Sequence, residues 1–319
     1  MSPLEKFDSI LSSIEKEIDA HLKARTSLAK TVSQYILKSG GKKLRPLLFV
    51  LSARLCGCET GKEIKLCPIF EYLHVATLLH DDVIDGAKTR RGKPTSHEVW
   101  GKTVAILSGD FLLATALELA AASGNLRIVE VLSKTVSIMA QGEILEISKI
   151  NDIHLGEEEY FEIIDGKTAA LIAGACHLGG VLAEASDEQE NALYAYGHNL
   201  GLAFQIVDDI LDYIGSEKKF GKPVGQDIKE GKVTLPLIYA LQNATPEEKD
   251  MVKSLFNKRQ QKDTEAIVSF VKDKKGITLA QNKAETFISK AKSALSIFPP
   301  HYMKENLLRL ADFIVKRNY

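Results

Sequence analysis

The sequence predicts an all-α protein, and three observations support this prediction. Nine prolines occur among the 319 residues, but none lies between Pro94 and Pro223. Apolar residues recur at spacings of three and four, as they do on one face of a helix. Strict alternation of apolar and polar residues, the pattern of a half-buried strand, is scarce. Because no shift in composition marks a boundary, we expect one helical domain over residues 1–319.

The first helix is predicted from one apolar stripe and a start signal. Ser2 and Glu5 have capping-box spacing, and Pro3 suits the first helical position. The stripe consists of Leu4, Phe7, Leu11, Ile14 and Ile18. This face is also expected to offer a packing surface for a second copy of the chain.

Further helices follow between polar breaks. Ser186 with Gln189, and Thr245 with Glu248, have the spacing of helix starts. The breaks are expected near residues 57–63, 86–95, 123–126, 151–158, 214–234, 243–247 and 272–276. The run from Thr168 to Ala183 lacks charged residues, but it is shorter than a membrane span and contains His177. We therefore predict a buried helix there, no integral membrane segment and no targeting segment.

Composition and charge exclude several function classes. Apolar residues make up 45% and charged residues 26%, as in folded globular domains and unlike disordered or fibrous chains. The formal net charge of −1 lacks the basic excess of a nucleic-acid-binding protein, so no nucleic-acid partner is expected. The cysteines show neither zinc-ligand spacing nor a disulfide framework, which favours a reducing, cytoplasmic location. They are Cys56, Cys58, Cys67 and Cys176.

Two apolar helical runs each end in the same acidic motif. Asp81-Asp82-x-x-Asp85 ends the first run, and Asp208-Asp209-x-x-Asp212 ends the second. Residues four apart share a helix face, so like charges there cost a few tenths of a kcal/mol (about 0.2–0.5) and also oppose the helix dipole. Because this unfavourable arrangement of negative charge occurs twice, we expect a bound cation to compensate it. An all-carboxylate ligand set suits a hard ion such as Mg²⁺, which also binds substrate phosphates.

Basic residues lie near these motifs in the sequence. A glycine turn, Gly40-Gly41, precedes Lys42 and Arg45, and a second cluster, Arg90 and Arg91, follows the first acidic motif. Further basic positions are Lys167 beside Thr168, Lys222 and Lys232. Such groups suit a diphosphate. A phosphate-binding P-loop is excluded, because Pro223 follows Gly221-Lys222 where Ser or Thr is needed.

With these motifs in view, the sequence resembles the trans-type isoprenyl diphosphate synthases of the long-chain, octaprenyl-type branch. The resemblance runs from about residue 40 to 232. The matching residues are Gly40–Pro46, His74, Asp81, Asp82, Asp85, Arg90–Gly92, Gly166–Thr168, Gln205, Asp208, Asp209, Asp212, Gly221–Pro223, Asp227, Gly231 and Lys232. It implies a single helical bundle around a central substrate cavity, the isoprenoid synthase type of fold.

The resemblance also implies the reaction. An allylic diphosphate, farnesyl or geranylgeranyl, would bind between the aspartate motifs through Mg²⁺, with three ions when substrate is bound. It would ionise to an allylic carbocation, isopentenyl diphosphate would attack, and proton loss would complete a chain five carbons longer. A homodimer is implied as well. A long apolar product would bring the enzyme transiently to membranes.

Residue roles follow from the same resemblance. Isopentenyl diphosphate would be held by Lys42, Arg45, His74 and Arg91. The allylic diphosphate would be held by Arg90, Lys167, Thr168, Gln205, Lys222 and Lys232. The primary Mg²⁺ ligands would be Asp81, Asp85 and Asp208, with Asp82, Asp209 and Asp212 in support. Lys167 is expected to be catalytic together with the six aspartates.

Small residues before the first motif predict a long product. In the family, a bulky aromatic four or five residues before the first aspartate blocks the product tunnel. Here those positions are Ala76 and Thr77, and Leu73 lies a further turn away. Leu132 and Met139 are candidates for the tunnel floor.

Other interpretations of the motifs stay open. Ala76 can instead serve close helix packing, and His74 can be a buried structural histidine. A synthase of farnesyl or geranylgeranyl diphosphate and the catalytic subunit of a heteromeric synthase are alternatives. A class I terpene cyclase is disfavoured, because Lys42, Arg45 and Arg91 have a purpose only if a second diphosphate binds. Exact product length, preferred primer and downstream pathway are not predicted.

Overall fold

The computed structural model describes residues 6–214 and 224–315, and helices dominate this part of the chain. The first eight are α1 Asp8–His21, α2 Ser27–Leu37, α3 Leu44–Leu55, α4 Lys62–Leu66, α5 Pro68–Ile84, α6 Ser96–Trp100, α7 Lys102–Ala122 and α8 Leu126–Ser148. They are followed by α9 Glu157–Ile164, a π-helical turn Asp165–Ala169, α10 Ala170–Leu182, α11 Asp187–Ile214, α12 Gln226–Glu230 and α13 Leu235–Gln242. The last four are α14 Pro246–Lys258, α15 Gln261–Asp273, α16 Gly276–Ala294 and α17 Tyr302–Val315. The all-α prediction is confirmed.

One short hairpin interrupts the helical pattern. Strands β1 Thr89–Arg90 and β2 Lys93–Pro94 pair antiparallel, inside the break predicted at 86–95. Arg91 and Gly92 form the turn with φ values of 52° and 75°. Positive φ at both central positions is the geometry that lets a two-residue turn follow the twist of its strands. Arginine rarely adopts a positive φ, so no hairpin is predicted here from the residue types alone.

Two predicted helix starts are confirmed by their hydrogen bonds. The Gln189 amide donates to Ser186 Oγ at 3.3 Å, and the Ser186 amide donates to Gln189 Oε1 at 3.1 Å. Thr245 and Glu248 make the same reciprocal pair at 3.3 and 2.9 Å. Each pair satisfies amide groups that a helix leaves without partners at its first turn. The Ser2–Glu5 start lies outside the described residues.

The chain contacts divide into two compact units, each assembled from three segments. Unit 1 comprises Met1–Thr135, Gly174–Tyr194 and Ile297–Leu307. Unit 2 comprises Val136–Ala173, Ala195–Ser296 and Leu308–Tyr319. The single domain over 1–319 stays a prediction.

In unit 1, α5 and α7 form the main helix pair. Gly109 makes their close approach possible, because a Cβ there would lie 2.4 Å from His80 Nε2. The apolar stripe of α1 packs inside this unit, with Ile14 fully buried and Ile18 nearly so. The prediction that this stripe is a surface for a second copy is therefore wrong, since its central residues already cover the unit's own core.

Helix α7 carries the exposed apolar face instead. Ile106, Leu107 and Leu117 are 40, 60 and 38% exposed, whereas Leu112 and Ala116 are fully buried. Within the described residues α7 is the one helix long and apolar enough to cross a membrane by length and composition. From the sequence, the segment considered as a possible membrane span was instead Thr168–Ala183. That run forms α10 and the turn before it, and most of its side chains are buried, as predicted.

Unit 2 is held by close backbone approaches at glycines. A Cβ on Gly166 would lie 2.5 Å from Gly142 Cα, and one on Gly201 would lie 2.5 Å from Ala169 Cα. These contacts fix the π-helical turn against α8 and α11. Because π-helical turns occur most often at functional sites, this turn directs attention to the residues it carries, Lys167 and Thr168.

Candidate functional site

The first acidic motif lies at the C-terminal end of α5 in unit 1, as predicted. The Asp85 amide donates to the Asp81 carbonyl at 2.8 Å, which carries the helical pattern through the motif. Asp85 is exposed, Asp81 is half-buried, and Asp82 is only 1% exposed. The two residues on the accessible face are thus the two predicted as primary metal ligands.

Asp82 is paired with a residue predicted to bind substrate. Arg90 Nε and Nη2 lie 2.8 and 2.7 Å from Asp82 Oδ1. The other oxygen, Oδ2, is buried and has no hydrogen-bond partner. The β1–β2 hairpin therefore places Arg90 beside the acidic motif at the end of α5.

Arg91 turns toward the glycine loop before α3. Its guanidinium donates to the Gly40 carbonyl, and it occupies the space where a Gly41 side chain would be, 3.2 Å from that Cβ position. Gly40 and Gly41 have φ values of 96° and 138°, which glycine adopts without strain. The loop that carries Lys42 is thereby joined to Arg91, as the grouping of these two residues predicted.

His74 on α5 faces this basic group. Burial lowers the pKa of His74 well below its ordinary value, and the positive charges of Arg45, Arg91, Arg90 and Lys43 lower it further. The imidazole is therefore neutral at neutral pH. Arg45 and Arg91 are thus close enough to His74 for their charges to lower its pKa. These are three of the four residues predicted to bind isopentenyl diphosphate. The fourth, Lys42, is exposed on the adjoining loop.

Lys43 differs in role from its neighbour Lys42. Lys43 is 8% exposed, and its ammonium lies 2.8 Å from Glu71 Oε1 and 3.0 Å from the Leu37 carbonyl. A buried lysine must be paired in this way. Glu71 is not predicted from the sequence, because a glutamate in an apolar run carries no local signal for a distant partner.

The second acidic motif lies near the described end of α11 in unit 2. Asp208 is exposed, Asp209 is 6% exposed and Asp212 is half-buried. The pattern of burial repeats that of the first motif, in which the second aspartate is the internal one.

Asp212 receives hydrogen bonds from the next helix along the chain. The Gln226 amide donates to Asp212 Oδ1 at 3.0 Å, and the Asp227 amide donates to Oδ2 at 3.1 Å. These amides open α12, so Asp212 caps this helix from a distant position in the sequence. Desolvation raises the pKa of Asp227 well above its ordinary value, and the charges of Asp212 and Asp209 raise it further.

Lys167 is paired with a carboxylate that the sequence analysis missed. Its ammonium lies 2.8 Å from Glu146 Oε1 on α8. Burial opposes the charged form, but Glu146, aided by Glu143, raises the pKa of Lys167 above its ordinary value. The available signal for this contact was Gly142, an interior helical glycine that marks the approach of α8 to the turn.

Thr168 and Gln205 belong to a hydrogen-bond network. Thr168 Oγ1 donates to Gln205 Oε1 at 2.6 Å, and Gln205 Nε2 donates to Asp209 Oδ1 at 2.8 Å. Tyr160 Oη completes it by donating to Asp209 Oδ2 at 2.6 Å. Burial raises the pKa of Asp209 to about 7, although the hydrogen bonds from Tyr160 and Gln205 oppose this shift. Thr168, Gln205 and Asp209 are predicted site residues, whereas Tyr160 is not predicted from the sequence.

Three members of this network, Tyr160, Gln205 and Asp209, line a small cavity of about 70 Å³ in unit 2. Its polar lining consists of Glu146, Lys149, Tyr160, Lys167, Gln205, Asp209, Asp227, Lys232 and Thr234. Lys232 Nζ lies 2.9 Å from Glu230. The structure therefore brings Lys167, Gln205, Asp209 and Lys232 to one cavity, while the predicted Lys222 lies outside the described residues.

The residues of both motifs fit a hard divalent cation. No group of three or more histidine, cysteine or acidic side chains is assembled as a metal site in residues 6–214 and 224–315. The donors nevertheless consist of carboxylates alone, and the buried Asp82 Oδ2 is an acceptor without a partner that a cation could satisfy. Asp81 and Asp85 of the first motif, and Asp208 of the second, stay the predicted Mg²⁺ ligands.

The predicted chain-length residues lie on the buried side of α5. Leu73 and Ala76 are 2 and 3% exposed, and Thr77 Oγ1 donates to the His74 carbonyl at 2.9 Å. The candidate floor residues Leu132 and Met139 are also buried. Their role in product length stays a prediction.

Comparison with known proteins agrees with this geometry. The polyprenyl synthetase family profile matches residues 26–273. The chain is 35% identical to an octaprenyl diphosphate synthase of Escherichia coli over 99% of both chains. It is 36% identical to a geranylgeranyl diphosphate synthase of Saccharolobus solfataricus over 98% of this chain and 97% of that one.

A solved structure extends the likeness to the fold. The polyprenyl synthase of Caulobacter crescentus, complexed with calcium and isoprenyl diphosphate, is 35% identical and matches with a TM-score of 0.93. The match covers 99% of this chain and 97% of that one. The fold is thus that of the all-α isoprenoid synthases, and the chain belongs to the polyprenyl synthetase family. It is a prenyltransferase.

Proposed function

We propose that this prenyltransferase condenses isopentenyl diphosphate with farnesyl or geranylgeranyl diphosphate to make a long-chain all-trans polyprenyl diphosphate. The observation that carries the proposal is the presence of two separate basic groups, each beside an aspartate motif. One comprises Arg45 and Arg91 beside a neutral His74. The other comprises Lys167 and Lys232 on the cavity of unit 2. Two diphosphate substrates need two such groups.

The first group would hold isopentenyl diphosphate through Lys42, Arg45, His74 and Arg91. Fixed guanidinium groups suit a diphosphate because they form two parallel charged hydrogen bonds. The neutral imidazole of His74 adds a hydrogen bond without adding charge. Isopentenyl diphosphate keeps its diphosphate during the reaction. Its site must therefore bind the diphosphate without promoting cleavage of the C–O bond.

The second group would hold the allylic diphosphate and stabilise it as it leaves. Arg90, Lys167, Thr168, Gln205, Lys222 and Lys232 are the proposed ligands. Lys167 stays charged because Glu146 raises its pKa. A fixed cation at the leaving group lowers the barrier where negative charge develops.

The proposal includes Mg²⁺ dependence, with three ions in the substrate complex. Mg²⁺, when bound with the substrate, would neutralise charge on the departing diphosphate. Asp81, Asp85 and Asp208 are the proposed ligands, and Asp82, Asp209 and Asp212 support them through their own contacts. The mechanism is ionisation, condensation and elimination, in which the proton lost from the condensed chain passes to the released diphosphate.

A long product is supported by small residues on α5. Ala76 and Thr77 leave the helix narrow one turn before Asp81, and Leu73 is aliphatic. The likeness to a geranylgeranyl diphosphate synthase keeps a shorter product as the second candidate. A single domain in a cytoplasmic enzyme, with transient membrane contact for product release, completes the proposal.

We further infer a homodimer that uses the exposed face of α7. Large apolar side chains exposed together on one helix face are candidates for such a contact, and two copies of one helix face can pack on each other around a two-fold axis. Ile106, Leu107 and Leu117 lie on this face with Ala114. A second copy is the partner that the resemblance implies.

One assay tests the reaction directly. The purified chain is incubated with farnesyl diphosphate, labelled isopentenyl diphosphate and Mg²⁺, and the product is sized. We expect a labelled ladder ending beyond about four isoprene units. The variants Asp81→Ala and Asp208→Ala should each abolish incorporation, whereas Asp250→Ala, an exposed acid on α14, serves as the matched control. Near-normal incorporation in either motif variant would contradict the proposed metal ligands.

The same assay separates the alternatives. A terpene cyclase would consume farnesyl diphosphate without incorporating label. A short-chain synthase would stop at the four-unit product, and the subunit of a heteromeric enzyme would be inactive alone.

A further inference from the structure

We propose that Tyr160 is a positioning residue for the anion site of unit 2. It holds the Asp209 carboxylate in one orientation, and through Asp209 it fixes the Gln205 amide and the Thr168 hydroxyl. The inference rests on the proposed function for the identity of the anion, an organic or inorganic diphosphate. In the sequence Tyr160 belongs to neither aspartate motif, because it lies in α9.

The first link is a hydrogen bond between two buried groups. Tyr160 is 2% exposed and Asp209 is 6% exposed, and their oxygens are 2.6 Å apart. A buried phenol must find an acceptor, and a buried carboxylate must find donors. Each therefore restricts the other far more than a surface pair would, because no water competes for the bond.

The second link fixes the direction of an amide. Asp209 Oδ2 is bound to Tyr160, and Oδ1 accepts from Gln205 Nε2 at 2.8 Å. Because Asp209 Oδ1 accepts this hydrogen bond, the nitrogen of the Gln205 amide faces Asp209. Its oxygen must then face away, and it accepts from the Thr168 hydroxyl at 2.6 Å. Thr168 thus donates to Gln205, and Gln205 donates to Asp209, which is the final acceptor of the network.

The third link is the backbone that carries Thr168. The π-helical turn is held by the close approaches of Gly166 to Gly142 and of Gly201 to Ala169, both 2.5 Å from a Cβ position. With the backbone fixed, the remaining freedom of Thr168 is the rotation of its side chain, and the network sets that rotation. Tyr160, Lys167, Gln205 and Asp209 all line the same 70 Å³ cavity, so the network faces the proposed anion ligands.

Loss of the Tyr160 hydroxyl should therefore weaken anion binding without removing any anion ligand. In Tyr160→Phe we expect the KM for farnesyl diphosphate to rise by about tenfold, the cost of one hydrogen bond to a charged group. The KM for isopentenyl diphosphate should stay within about twofold of the wild type, because no residue proposed to hold it belongs to the network.

The matched control is Tyr72→Phe. Tyr72 is also fully buried, and its hydroxyl donates to the Ile18 carbonyl at 2.5 Å, in unit 1. This variant should lose a similar amount of thermal stability while keeping both KM values. The ratio of the two KM values therefore distinguishes a positioning role from a purely structural one, since only Tyr160→Phe should alter it.

A binding measurement keeps the test independent of turnover. Inorganic diphosphate is titrated calorimetrically, in the presence of Mg²⁺, into the wild type, Tyr160→Phe and Tyr72→Phe. We expect the Kd to rise by about tenfold in Tyr160→Phe alone. Equal Kd values for Tyr160→Phe and the wild type would overturn the positioning role, whether or not the wild type condenses prenyl substrates. Failure of the wild type to condense them would instead count against the proposed function.

Discussion

Most charged residues of the candidate site already have partners of opposite charge. Arg90 is paired with Asp82, Lys167 with Glu146, and Lys232 with Glu230. Buried or half-buried charges need such pairing, because an isolated charge is costly away from water. A diphosphate that binds to Arg90 or Lys167 must therefore share or replace a carboxylate, so binding is an exchange of partners.

His74 gives a prediction for the pH dependence of stability. Its pKa in the folded chain is lowered below the ordinary value of 6.5, so the unfolded chain binds more protons below that pH. The free energy of unfolding should therefore fall as the pH drops below about 6.5 toward the folded pKa, by up to about 1 kcal/mol per pH unit from this group. His74→Gln should reduce the slope.

The measurement is denaturant unfolding of both proteins from about pH 7.5, above the unfolded pKa, to about pH 5.5, below it. His301→Gln, at an exposed histidine before α17, is the control for the substitution itself. Identical slopes for His74→Gln and the wild type would show that His74 is not held neutral by folding.

Individual residues show why sequence reasoning reached only part of the site. The aspartates, Lys167 and Gln205 were predicted because their spacing carries chemistry. Tyr160, Glu146 and Glu71 were missed because each acts through a partner distant in sequence, 49, 21 and 28 positions away. A hydrogen bond between separate helices leaves no local pattern, so only the fold reveals it.

At the scale of elements, Asp212 joins α11 to α12. Both of its oxygens accept backbone amides of α12, at 3.0 and 3.1 Å. Asparagine keeps one oxygen acceptor but turns an NH2 group toward the other backbone N–H, so it loses one of the two capping hydrogen bonds and is also a weaker ligand for Mg²⁺. Capping and metal binding can therefore be distinguished by measuring stability and activity together.

If capping is the main role of Asp212, then Asp212→Asn and Asp212→Ala should each lose about 1 kcal/mol of stability and keep most condensation activity. The measurement is kcat/KM for farnesyl diphosphate together with the free energy of unfolding. Asp208→Asn is the matched control and should lose activity, since Asp208 is exposed and proposed as a ligand. Equal loss in Asp212→Asn and Asp208→Asn would assign Asp212 to the metal.

The face of α5 before Asp81 yields a prediction about product length. Ala76→Phe should shorten the main product while turnover persists, because an aromatic ring would block the proposed path. Ala76→Val provides a smaller step in the same direction. Since Ala76 is 3% exposed, the larger side chain should also cost about 1–3 kcal/mol of stability, which thermal unfolding would report. An unchanged product spectrum in Ala76→Phe would refute the tunnel assignment.

Elements were predicted well where periodicity and capping act within one segment. The helix starts at Ser186 and Thr245 and the burial of α10 followed from local rules. The π-helical turn Asp165–Ala169 and the hairpin at Arg91 did not. Both depend on tertiary contacts, of Gly166 with Gly142 and of Arg91 with the Gly40 loop, that override local propensity.

For the whole molecule, the exposed face of α7 predicts the state of assembly. Leu107 is 60% exposed on this face, so Leu107→Glu should place a charge in the proposed dimer contact. Light scattering should give twice the chain mass of 35.1 kDa for the wild type and the single mass for Leu107→Glu. Met251→Glu, on the 48% exposed Met251 of α14, is the control. A dimer that survives Leu107→Glu would place the contact elsewhere.

The interleaving of segments has a consequence for synthesis on the ribosome. Unit 1 includes Ile297–Leu307, and unit 2 includes a segment that begins at Leu308. Neither unit can therefore reach its full set of contacts until the chain beyond residue 296 has left the ribosome. Completion of either unit is thus expected only after these segments have emerged, although most of its helices are made much earlier.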